Sequence, residues 1–571
     1  MAAEMQLPAQ NPRFPLSDLP GSLPHTPLPG NVDEKAITEN ILKGLFSDDP
    51  TCFAEDAFWR DMFALTDNMR TFYGAETIKR AWGDCYKLHK PVGSSVEIKL
   101  SHVTILGPMQ WIQVHFTFHT DESPARRCFC NMRIVYNESK EWTVWVLGTM
   151  LEEIDGLGHP DKLEPVASAS HTSTNNSNDT AGPYDVLVVG AGPSGLSVAG
   201  RLKAMGLNAL TVERNAALGD NWLQRYSFLH MHTPRNVNVL PLSSAFRAAA
   251  PYFVSREDLA AHYQDYADRF ALNVWLRTTL LSAAWDASAR QWTATLARGG
   301  AIVAVKASHL VLAVGRSMEA VKPEYANAAA FRGAALHSIE FSSAAALRRE
   351  REAGGAAPPH PKAIVVGTAN TAHDVAEDLL SAGYEVLMVQ RRVTPIVRAG
   401  FLSEIFDHVY RDGVDSADAD RANMLAPLAV TRKMAMGFIG AKFAHGPDRD
   451  LLDGLEKAGF GVQRQIDIFS HVFEKKGCHY VDIGASQKIV DGKIRVKSGI
   501  PPTEWVENGL RFEDGTVEEA DVVVFATGFV TDSRKIVEKI VGEKIAAELP
   551  VCDGVDAEGE IRGVWTPTGG E

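Results

Sequence analysis

One βαβ pattern occurs twice in this chain, and it constrains the fold more than any other feature of the sequence. The first copy runs YDVLVVGAGPSGLSVAGRLKAMGLNALTVER (184–214), and the second runs KAIVVGTANTAHDVAEDLLSAGYEVLMVQRR (362–392). In each copy a continuous apolar strand is followed by a glycine turn, a helix and a second strand. Such units require parallel pairing and right-handed crossovers. The repeat therefore predicts an α/β protein with two Rossmann-like dinucleotide-binding domains.

The first copy carries the full glycine fingerprint of a dinucleotide site, G-x-G-x-x-G. Its first glycine permits a tight turn, the second allows close approach of a pyrophosphate, and the third lets the helix pack on the strand. Glu213 ends the second strand, where an acid accepts hydrogen bonds from ribose hydroxyls and repels a 2′-phosphate. The predicted ligand is therefore FAD or NAD rather than NADP. The predicted contacts are Gly190, Gly192, Pro193, Ser194, Gly195, Glu213 and Arg214.

The second copy keeps its first glycine but has alanines at the second and third positions. Its second strand ends in Arg391 and Arg392, at the position that Glu213 occupies in the first copy. A guanidinium there binds a 2′-phosphate bidentately. A βαβ unit without nucleotide and a solvated basic pair are the alternatives, but opposite charges at matched positions favour FAD in the first fold and NADPH in the second. The predicted contacts are Gly367, Asn370, Thr371, Arg391 and Arg392.

Shifts in composition divide the chain into six segments. Residues 1–30 carry seven prolines, which favours an extended and disordered arm. Residues 31–160 show helical patterns followed by alternating strands, which predicts a small α+β domain. Residues 161–182, rich in Ser, Thr and Asn, predict a linker. The other segments are predicted as the first part of the FAD-binding domain (183–340), the NADPH-binding domain with a substrate-lining insertion (341–505) and a shortened second part of the FAD-binding domain (506–571).

Composition also limits the classes of function. Hydrophobic residues make up 45% and charged residues 22% of the 571 residues, which is typical of a globular protein. The net charge of −14 argues against nucleic acid as a partner. Without a long apolar run or a secretory signal, a cytoplasmic location and no stable membrane insertion are expected. None of the six cysteines forms a C-x-x-C pair, which disfavours a zinc ribbon and a dithiol-disulphide reductase.

A third motif lies between the two glycine turns. Phe331, Gly333, His337 and Phe341 form F-x-G-x-x-x-H followed after three residues by an aromatic residue. In this position the motif resembles the identifying sequence of the flavin-containing monooxygenases, which are class B flavin-dependent monooxygenases. The resemblance implies that this stretch links the domains and supports NADP binding. A histidine satisfied within the core is the alternative for His337.

Further stretches between residues 183 and 571 resemble the same family. Residues 219–222 follow the FAD acid, residues 229–234 resemble the segment that passes the isoalloxazine ring, and residues 255–258 resemble the start of the next helix. Residues 521–529 resemble the A-T-G strand, which in the family returns to the FAD domain. The resemblance implies further cofactor contacts from Trp222, His232, Thr233, Thr527 and Gly528.

Three features depart from the family pattern. His232 stands where some members have an active-site asparagine, and we expect it to donate a hydrogen bond to the flavin peroxide or to a bound water. Phe341 is followed by Ser342, whereas the Baeyer–Villiger branch has a Trp-Pro or Trp-Asp pair, so that branch is disfavoured. The chain ends before the glycine-rich strand and final helix of the family, so part of the FAD pocket is expected to be missing.

A metal site at His230 and His232 is disfavoured because no carboxylate or cysteine stands beside the pair.

The N-terminal block is similar to the NTF2/SnoaL-like domains that are fused to flavoproteins of this kind. The similarity rests on residues 58–61 and 69–72. Such domains bind small molecules in a cavity or dimerise through their sheet, so a homodimer through this domain is one expectation. Asp61 and Arg70 are interpreted as a buried or rim ion pair in preference to polar groups of a pocket.

The resemblance implies an enzyme in which NADPH reduces FAD and the reduced flavin forms a C4a-hydroperoxide with O2. That species delivers one oxygen atom to a soft nucleophilic nitrogen or sulfur of a small organic substrate, without a metal or a protein nucleophile. A Baeyer–Villiger enzyme or an uncoupled NADPH oxidase is the alternative among enzymes. A nucleotide-binding or scaffold protein with a decayed catalytic half is the alternative of another class, favoured by Ala369 and the short C-terminus.

Overall fold

The computed structural model of the chain describes residues 13–47, 50–166, 183–242, 245–315, 319–354, 358–410, 413–475, 477–530 and 534–565. Two sheets of six strands and one of five form the framework of these residues. Residues 1–12 of the predicted arm and 167–182 of the predicted linker lie outside the described ranges.

The N-terminal domain is a six-stranded mixed sheet packed against two helices. Only β1 and β6 run parallel in the strand order β2-β1-β6-β5-β4-β3. The face toward the helices is filled with aromatic side chains, and Trp59, Trp82 and Phe116 are fully buried there. The elements are α1 (Glu34–Leu45), β1 (Phe53–Met62), β2 (Met69–Tyr73), α2 (Ala75–His89), β3 (Glu97–Leu106), β4 (Met109–His119), β5 (Arg126–Tyr136) and β6 (Trp142–Ile154).

The predicted proline-rich arm is partly ordered, which corrects the expectation for residues 13–30. The Phe14 N–H donates to the Val555 carbonyl, and Leu16 and Leu19 are buried. These leucines pack with Trp145 on the outer face of the N-terminal sheet, together with residues of the helical insertion. The apolar side chains between the prolines hold the segment in place. Segments from elsewhere in the chain therefore cover part of the outer face of the N-terminal sheet.

The first dinucleotide fold has a six-stranded sheet in the order β10-β11-β12-β7-β8-β9. Strands β12, β7, β8 and β9 run parallel, and β10 to β12 form an antiparallel meander. The Ser255 side chain and Asp258 form a capping box that begins the long helix α5. The elements are β7 (Tyr184–Val189), α3 (Pro193–Ala204), β8 (Ala209–Val212), α4 (Asp220–Leu223), α5 (Arg256–Arg269), β9 (Val274–Trp275), β10 (Thr278–Asp286), β11 (Gln291–Arg298) and β12 (Ala301–Leu312).

The second dinucleotide fold has a parallel five-stranded sheet in the order β13-β22-β14-β15-β18. A helical insertion, α8 to α11, lies between the short strands β16 and β17. These two strands pair with each other outside the five-stranded sheet. The elements are β13 (Ala334–His337), α6 (Ala344–Ala353), β14 (Lys362–Val366), α7 (Asn370–Ser381), β15 (Glu385–Gln390), β16 (Ile396–Arg398), α8 (Ala399–Val409), α9 (Ser416–Met424), α10 (Leu428–Ala444), α11 (Pro447–Lys457), β17 (Tyr480–Asp482), α12 (Ala485–Val490), β18 (Ile494–Ser498), β19 (Pro502–Val506), β20 (Gly509–Phe512), β21 (Val517–Glu519) and β22 (Val522–Phe525).

The position of β22 corrects the predicted boundaries of the two folds. We expected the A-T-G strand to return to the first fold, but β22 lies inside the second sheet between β13 and β14. All four of its residues are buried, and a strand buried on both faces pairs along both edges. The chain returns to the first sheet only at α13 (Arg534–Val541), whose Ile540 and Val541 pack on that sheet's core, before α14 (Glu543–Glu548).

No helix within the described ranges is both long and apolar enough to cross a membrane.

Candidate functional site

The first glycine turn has the shape that a dinucleotide pyrophosphate requires. Gly190 has a φ of 102°, and a Cβ there would lie 2.5 Å from the Ala313 carbonyl oxygen. A Cβ on Gly195 would lie 1.8 Å from the Gly190 oxygen, so the turn itself requires both glycines. Gly192 has open space beside it, because a Cβ there would meet nothing within 4 Å. The space is where the fingerprint brings backbone close to a pyrophosphate.

The beginning of helix α3 adds an anion-binding end to this turn. Gly192 is its N-cap residue, and no side chain caps the helix. Pro193 and Ser194 in its first turn are exposed. Uncapped N–H groups and the positive end of the helix dipole attract phosphate. The residues of the first fold therefore fit the pyrophosphate of FAD.

Glu213 stands beside the glycine turn at the end of β8. One carboxylate oxygen accepts a hydrogen bond from the Ala191 N–H at 2.9 Å, and the other accepts from the Asn215 N–H at 3.0 Å. The acid thus fixes the turn and still has lone pairs for ribose hydroxyls. Arg214 is exposed beside it.

The second glycine turn is built in the same way as the first, but Ala369 stands at the position of the second glycine and its methyl group leaves less room for a pyrophosphate. Gly367 has a φ of 130°, and a Cβ there would lie 2.5 Å from the Ala526 carbonyl oxygen. Ala369 is the N-cap residue of α7, which no side chain caps. The Asn370 side chain accepts from the Val481 N–H at 2.8 Å, so it ties the helix to β17. The uncapped helix end again fits a pyrophosphate.

The arginine pair lies at the end of β15, as the repeat predicts. Arg391 and Arg392 are both exposed, and neither forms an ion pair within the described part of the chain. Arg391 lies close enough to Tyr325 to influence the pKa of its hydroxyl, which burial raises. Two unpaired guanidinium groups at this strand end fit a 2′-phosphate.

The third motif supports the second sheet. Phe331 packs on Trp505 with ring centroids 4.8 Å apart, and a Cβ on Gly333 would lie 2.4 Å from the Asp521 carbonyl oxygen. His337 is fully buried, and its Nε2 lies 3.1 Å from the Gly528 carbonyl oxygen, while its Nδ1 accepts from the Ile339 N–H. These contacts favour the interpretation of His337 as a histidine that is satisfied within the core.

Other predicted contacts lie at the junction of the two folds. The Trp222 indole N–H donates to the Tyr263 hydroxyl at 3.3 Å, and its ring packs on the cores of both folds. Thr233 shares hydrogen bonds with Asn238 inside its own loop. The Thr527 hydroxyl donates to the Val321 carbonyl. Phe341 is buried in the core of the second fold.

His232 lies against the second fold. Its Nε2 is 3.6 Å from the Asp374 carboxylate on α7, and its Nδ1 is buried without a hydrogen-bond partner among the described residues. Tyr226 donates to the same carboxylate at 2.6 Å. Asp374 and Tyr226 were not among the predicted site residues. The signal that could have identified Asp374 is its position, because it is an acid on the buried side of the helix that follows the second glycine turn.

A cavity of about 810 Å³ opens beside this junction. Three aromatic side chains, Met231 and several charged residues line it, and Met231 is the chain neighbour of His232. Arg398 in the wall is bound bidentately by Asp448, which raises the pKa of the guanidinium. The wall includes Met231, Tyr252, Phe253, Arg398, Phe401 and Asp482.

Asp61 and Arg70 do not form the expected pair, although they face each other in the register of β1 and β2. Asp61 accepts hydrogen bonds from Leu65, Thr66 and Thr149 inside the N-terminal domain. Burial raises the pKa of this carboxyl group. Arg70 instead binds Glu558 in the C-terminal segment. Among the described residues, no three His, Cys, Asp or Glu side chains come together to hold a metal ion.

The buried ring of His373 is expected to lower the stability of the protein in acid. It stacks on Tyr480 at 3.7 Å, and burial lowers its pKa to about 4. The unfolded histidine titrates near 6.5, so the unfolded state binds the extra proton between pH 6.5 and 4 and stability falls as the pH falls. We expect His373 to account for a loss of about 2 kcal/mol in unfolding free energy between pH 7 and 5.

Urea unfolding of the wild type and of His373→Asn at both pH values measures this loss. The variant should lose less stability on acidification, whereas His230→Asn, which changes an exposed histidine, should behave as the wild type does. An equal acid loss in His373→Asn would assign the sensitivity to other groups.

Several known proteins are similar in sequence to part of this chain. Residues 187–398 match the family described as pyridine nucleotide-disulphide oxidoreductase. Indole-3-pyruvate monooxygenase YUCCA8 of Oryza sativa subsp. indica is 30% identical over 365 residues, which cover 62% of this chain and 78% of that protein. Indole-3-pyruvate monooxygenase YUCCA6 of Arabidopsis thaliana is 26% identical over 346 residues, covering 60% of this chain and 75% of that protein.

Among solved structures, a flavin-containing monooxygenase from Stenotrophomonas maltophilia shares 18% identity with a TM-score of 0.42, covering 68% of this chain and 88% of that chain. An oxidized steroid monooxygenase bound to NADP shares 18% identity with a TM-score of 0.42, covering 63% of this chain and 73% of that chain.

The similarity to the rice protein shows that the chain belongs to the flavin monooxygenase family. It is an oxidoreductase of the flavin-dependent monooxygenase class, with FAD and NADP as cofactors and O2 as acceptor. The predicted enzyme class and cofactors are confirmed.

Proposed function

We propose that the first crevice holds FAD, that the second holds NADPH, and that the enzyme oxygenates a small substrate between them. The charges at the two matched strand ends carry this proposal, because an acid follows β8 and two unpaired arginines follow β15. Bound FAD supplies the redox chemistry, taking a hydride from NADPH and activating O2. The chain positions both coenzymes and keeps water from the reacting atoms.

The arginine pair should set the choice of electron donor. Arg391→Ala is expected to lower kcat/KM for NADPH by about 100-fold, since a charge-assisted bidentate contact to phosphate is lost. Activity with NADH, which lacks the 2′-phosphate, should change little. Steady-state kinetics with both donors measure the switch, and Arg495→Ala is a matched control that removes a β18 arginine paired with Glu518. Equal losses with the two donors would assign Arg391 another role.

We propose the cavity of 810 Å³ as the substrate site and a soft nitrogen or sulfur atom as the atom oxygenated. Tyr252, Phe253 and Phe401 suit an apolar or aromatic substrate. Asp482, which accepts hydrogen bonds from backbone N–H groups and stands opposite Arg398 in the register of β16 and β17, adds a carboxylate to the wall. Aromatic rings with a nearby acid favour an amine over an anionic substrate.

A 2-oxo acid is the second candidate substrate, as the names of the curated relatives indicate for those proteins. Arg398 favours it, because Asp448 occupies only Nε and one terminal nitrogen of this guanidinium in the cavity wall. A carboxylate bound there would gain a charge-assisted hydrogen bond. The two substrate classes therefore differ in charge, and assays separate them directly.

The N-terminal domain, with its six-stranded sheet and two helices, supports the proposed NTF2-like assignment. Its helix-facing side is filled with aromatic residues. Its outer face packs on the helical insertion through Phe58, Trp145, Ala429 and Val430. We propose that this domain supports the insertion that lines the substrate cavity.

The decisive test is an aerobic assay with purified protein, NADPH and 18O2. A tertiary amine, a thioether, a cyclic ketone and an aromatic 2-oxo acid serve as substrates, and mass spectrometry follows the incorporated oxygen. Incorporation into the amine or thioether is the expected result. Lactone formation would identify a Baeyer–Villiger enzyme, loss of CO2 would identify the 2-oxo acid, and hydrogen peroxide alone would identify an uncoupled oxidase. Protein that binds no flavin and does not respond to NADPH would overturn the enzymatic proposal.

A further inference from the structure

A buried acid of the second fold stands among residues of the first fold. Asp374 lies in the second turn of α7 and is 7% exposed. The Tyr226 hydroxyl donates to one of its carboxylate oxygens at 2.6 Å, and His232 Nε2 lies 3.6 Å from the other. Tyr226 and His232 both belong to the segment that follows α4. The carboxylate therefore joins the two folds at their junction.

Tyr226 holds this carboxylate in one orientation. Burial and the neighbouring Asp374 raise the pKa of the tyrosine hydroxyl, so it remains protonated and a donor. The hydrogen bond from Tyr226 thus fixes the acid from the side of the first fold.

The acid in turn determines how His232 presents its ring. At 3.6 Å the contact is longer than a hydrogen bond, and it acts as an electrostatic attraction that turns the Nε2 side of the ring toward the carboxylate. Nδ1 is then the free nitrogen, buried and without a partner in the described chain. A buried polar atom without a partner is costly. The described residues supply no partner for this nitrogen, and its place at the junction leaves room for a group held between the two folds.

We propose that Asp374 is a positioning residue that orients His232, so that Nδ1 hydrogen-bonds to a group bound between the two dinucleotide folds. This inference rests on the proposed function of the crevices. An acid from the NADPH fold would then align the candidate catalytic histidine from the FAD fold. The ring is aligned only while the two folds are docked, so His232 is placed to act in the assembled site.

A double-mutant cycle of Asp374→Asn and His232→Ala tests the coupling, with Tyr226→Phe as a milder variant that removes only the anchoring hydroxyl. Each single change of Asp374 or His232 should lower kcat for product formation by about 100-fold, as expected for a misplaced reacting group. KM for NADPH, the FAD content and the calorimetric Kd for NADP+ should stay within about twofold. The double variant should be no slower than His232→Ala alone.

Glu377→Gln is the matched control. It removes a carboxylate from the same helix, but that carboxylate pairs with Lys488 away from the junction. A crystal structure of unliganded Asp374→Asn provides a readout independent of activity, in which the His232 ring should leave the orientation of the wild-type crystal structure.

Three outcomes overturn the proposal. Additive losses in the cycle would show that Asp374 and His232 act separately, and an unchanged ring in the variant crystal would show that the acid does not orient it. Loss of NADP+ affinity or FAD in Tyr226→Phe and Asp374→Asn would assign the acid a structural role. A wild type without NADPH-dependent oxygenation would instead reject the proposed function, and the crystal structures would still decide whether Asp374 orients His232.

Discussion

Arg60→Ala is expected to lower the unfolding free energy by about 3–5 kcal/mol, because it leaves a buried carboxylate without its counter-ion. The Arg60 guanidinium donates two hydrogen bonds to Glu560, at 2.8 and 2.7 Å, and a third to the Met424 carbonyl. Both side chains of the pair are almost fully buried, and Thr71 donates to the same carboxylate. The pair fastens the C-terminal segment to the N-terminal sheet.

The neighbouring pair of Arg70 and Glu558 is the matched control. Its side chains are 42% and 28% exposed, so Arg70→Ala should cost at most about 1 kcal/mol. Urea unfolding of both variants measures the difference. The double variant Arg60→Met/Glu560→Leu should be more stable than either Arg60→Ala or Glu560→Ala, since no buried charge remains unpaired. Similar costs for Arg60→Ala and Arg70→Ala would show that burial does not govern the strength of these contacts.

Gly195→Ala is expected to prevent the first fold from forming a flavin site. A Cβ there would lie 1.8 Å from the Gly190 oxygen, and that contact can be relieved only by moving the backbone of the turn. Overpacking of this kind costs about 1–3 kcal/mol or more. The purified variant should be colourless and should unfold at a lower temperature.

Gly192→Ala separates binding from folding at the same turn. A Cβ at Gly192 meets nothing within 4 Å and its φ is −78°, so stability should change by no more than about 0.5 kcal/mol. FAD affinity should still fall by at least about tenfold, because the added methyl group blocks backbone approach to the pyrophosphate. Flavin fluorescence titration and thermal unfolding measure the two effects. Unchanged FAD affinity in Gly192→Ala, or normal flavin content in Gly195→Ala, would contradict the proposed placement of FAD.

The sequence determined those features whose causes are local. An apolar strand, a glycine turn and a helix are encoded within about 30 residues, so both βαβ units could be located from their pattern. The charges that follow β8 and β15 lie at fixed distances from the glycines, which explains why the two strand ends could be compared. Strand β1 has no such local pattern, because it carries four charges, of which Arg60 and Asp61 are buried with partners elsewhere in the chain.

Only the tertiary structure decided which distant residues meet. Arg60 and Glu560 are 500 positions apart, and Tyr226 and Asp374 are 148 apart. No local periodicity in the sequence predicts such pairs. Their contribution to stability comes from burying opposite charges, or a donor with its acceptor, side by side, and this happens only when the chain has folded. The same reason applies to β22, whose apolar run fits any buried parallel strand and whose place was fixed by its neighbours β13 and β14. Sequence thus determined the two crevices and their charges, and packing decided how the folds meet around His232.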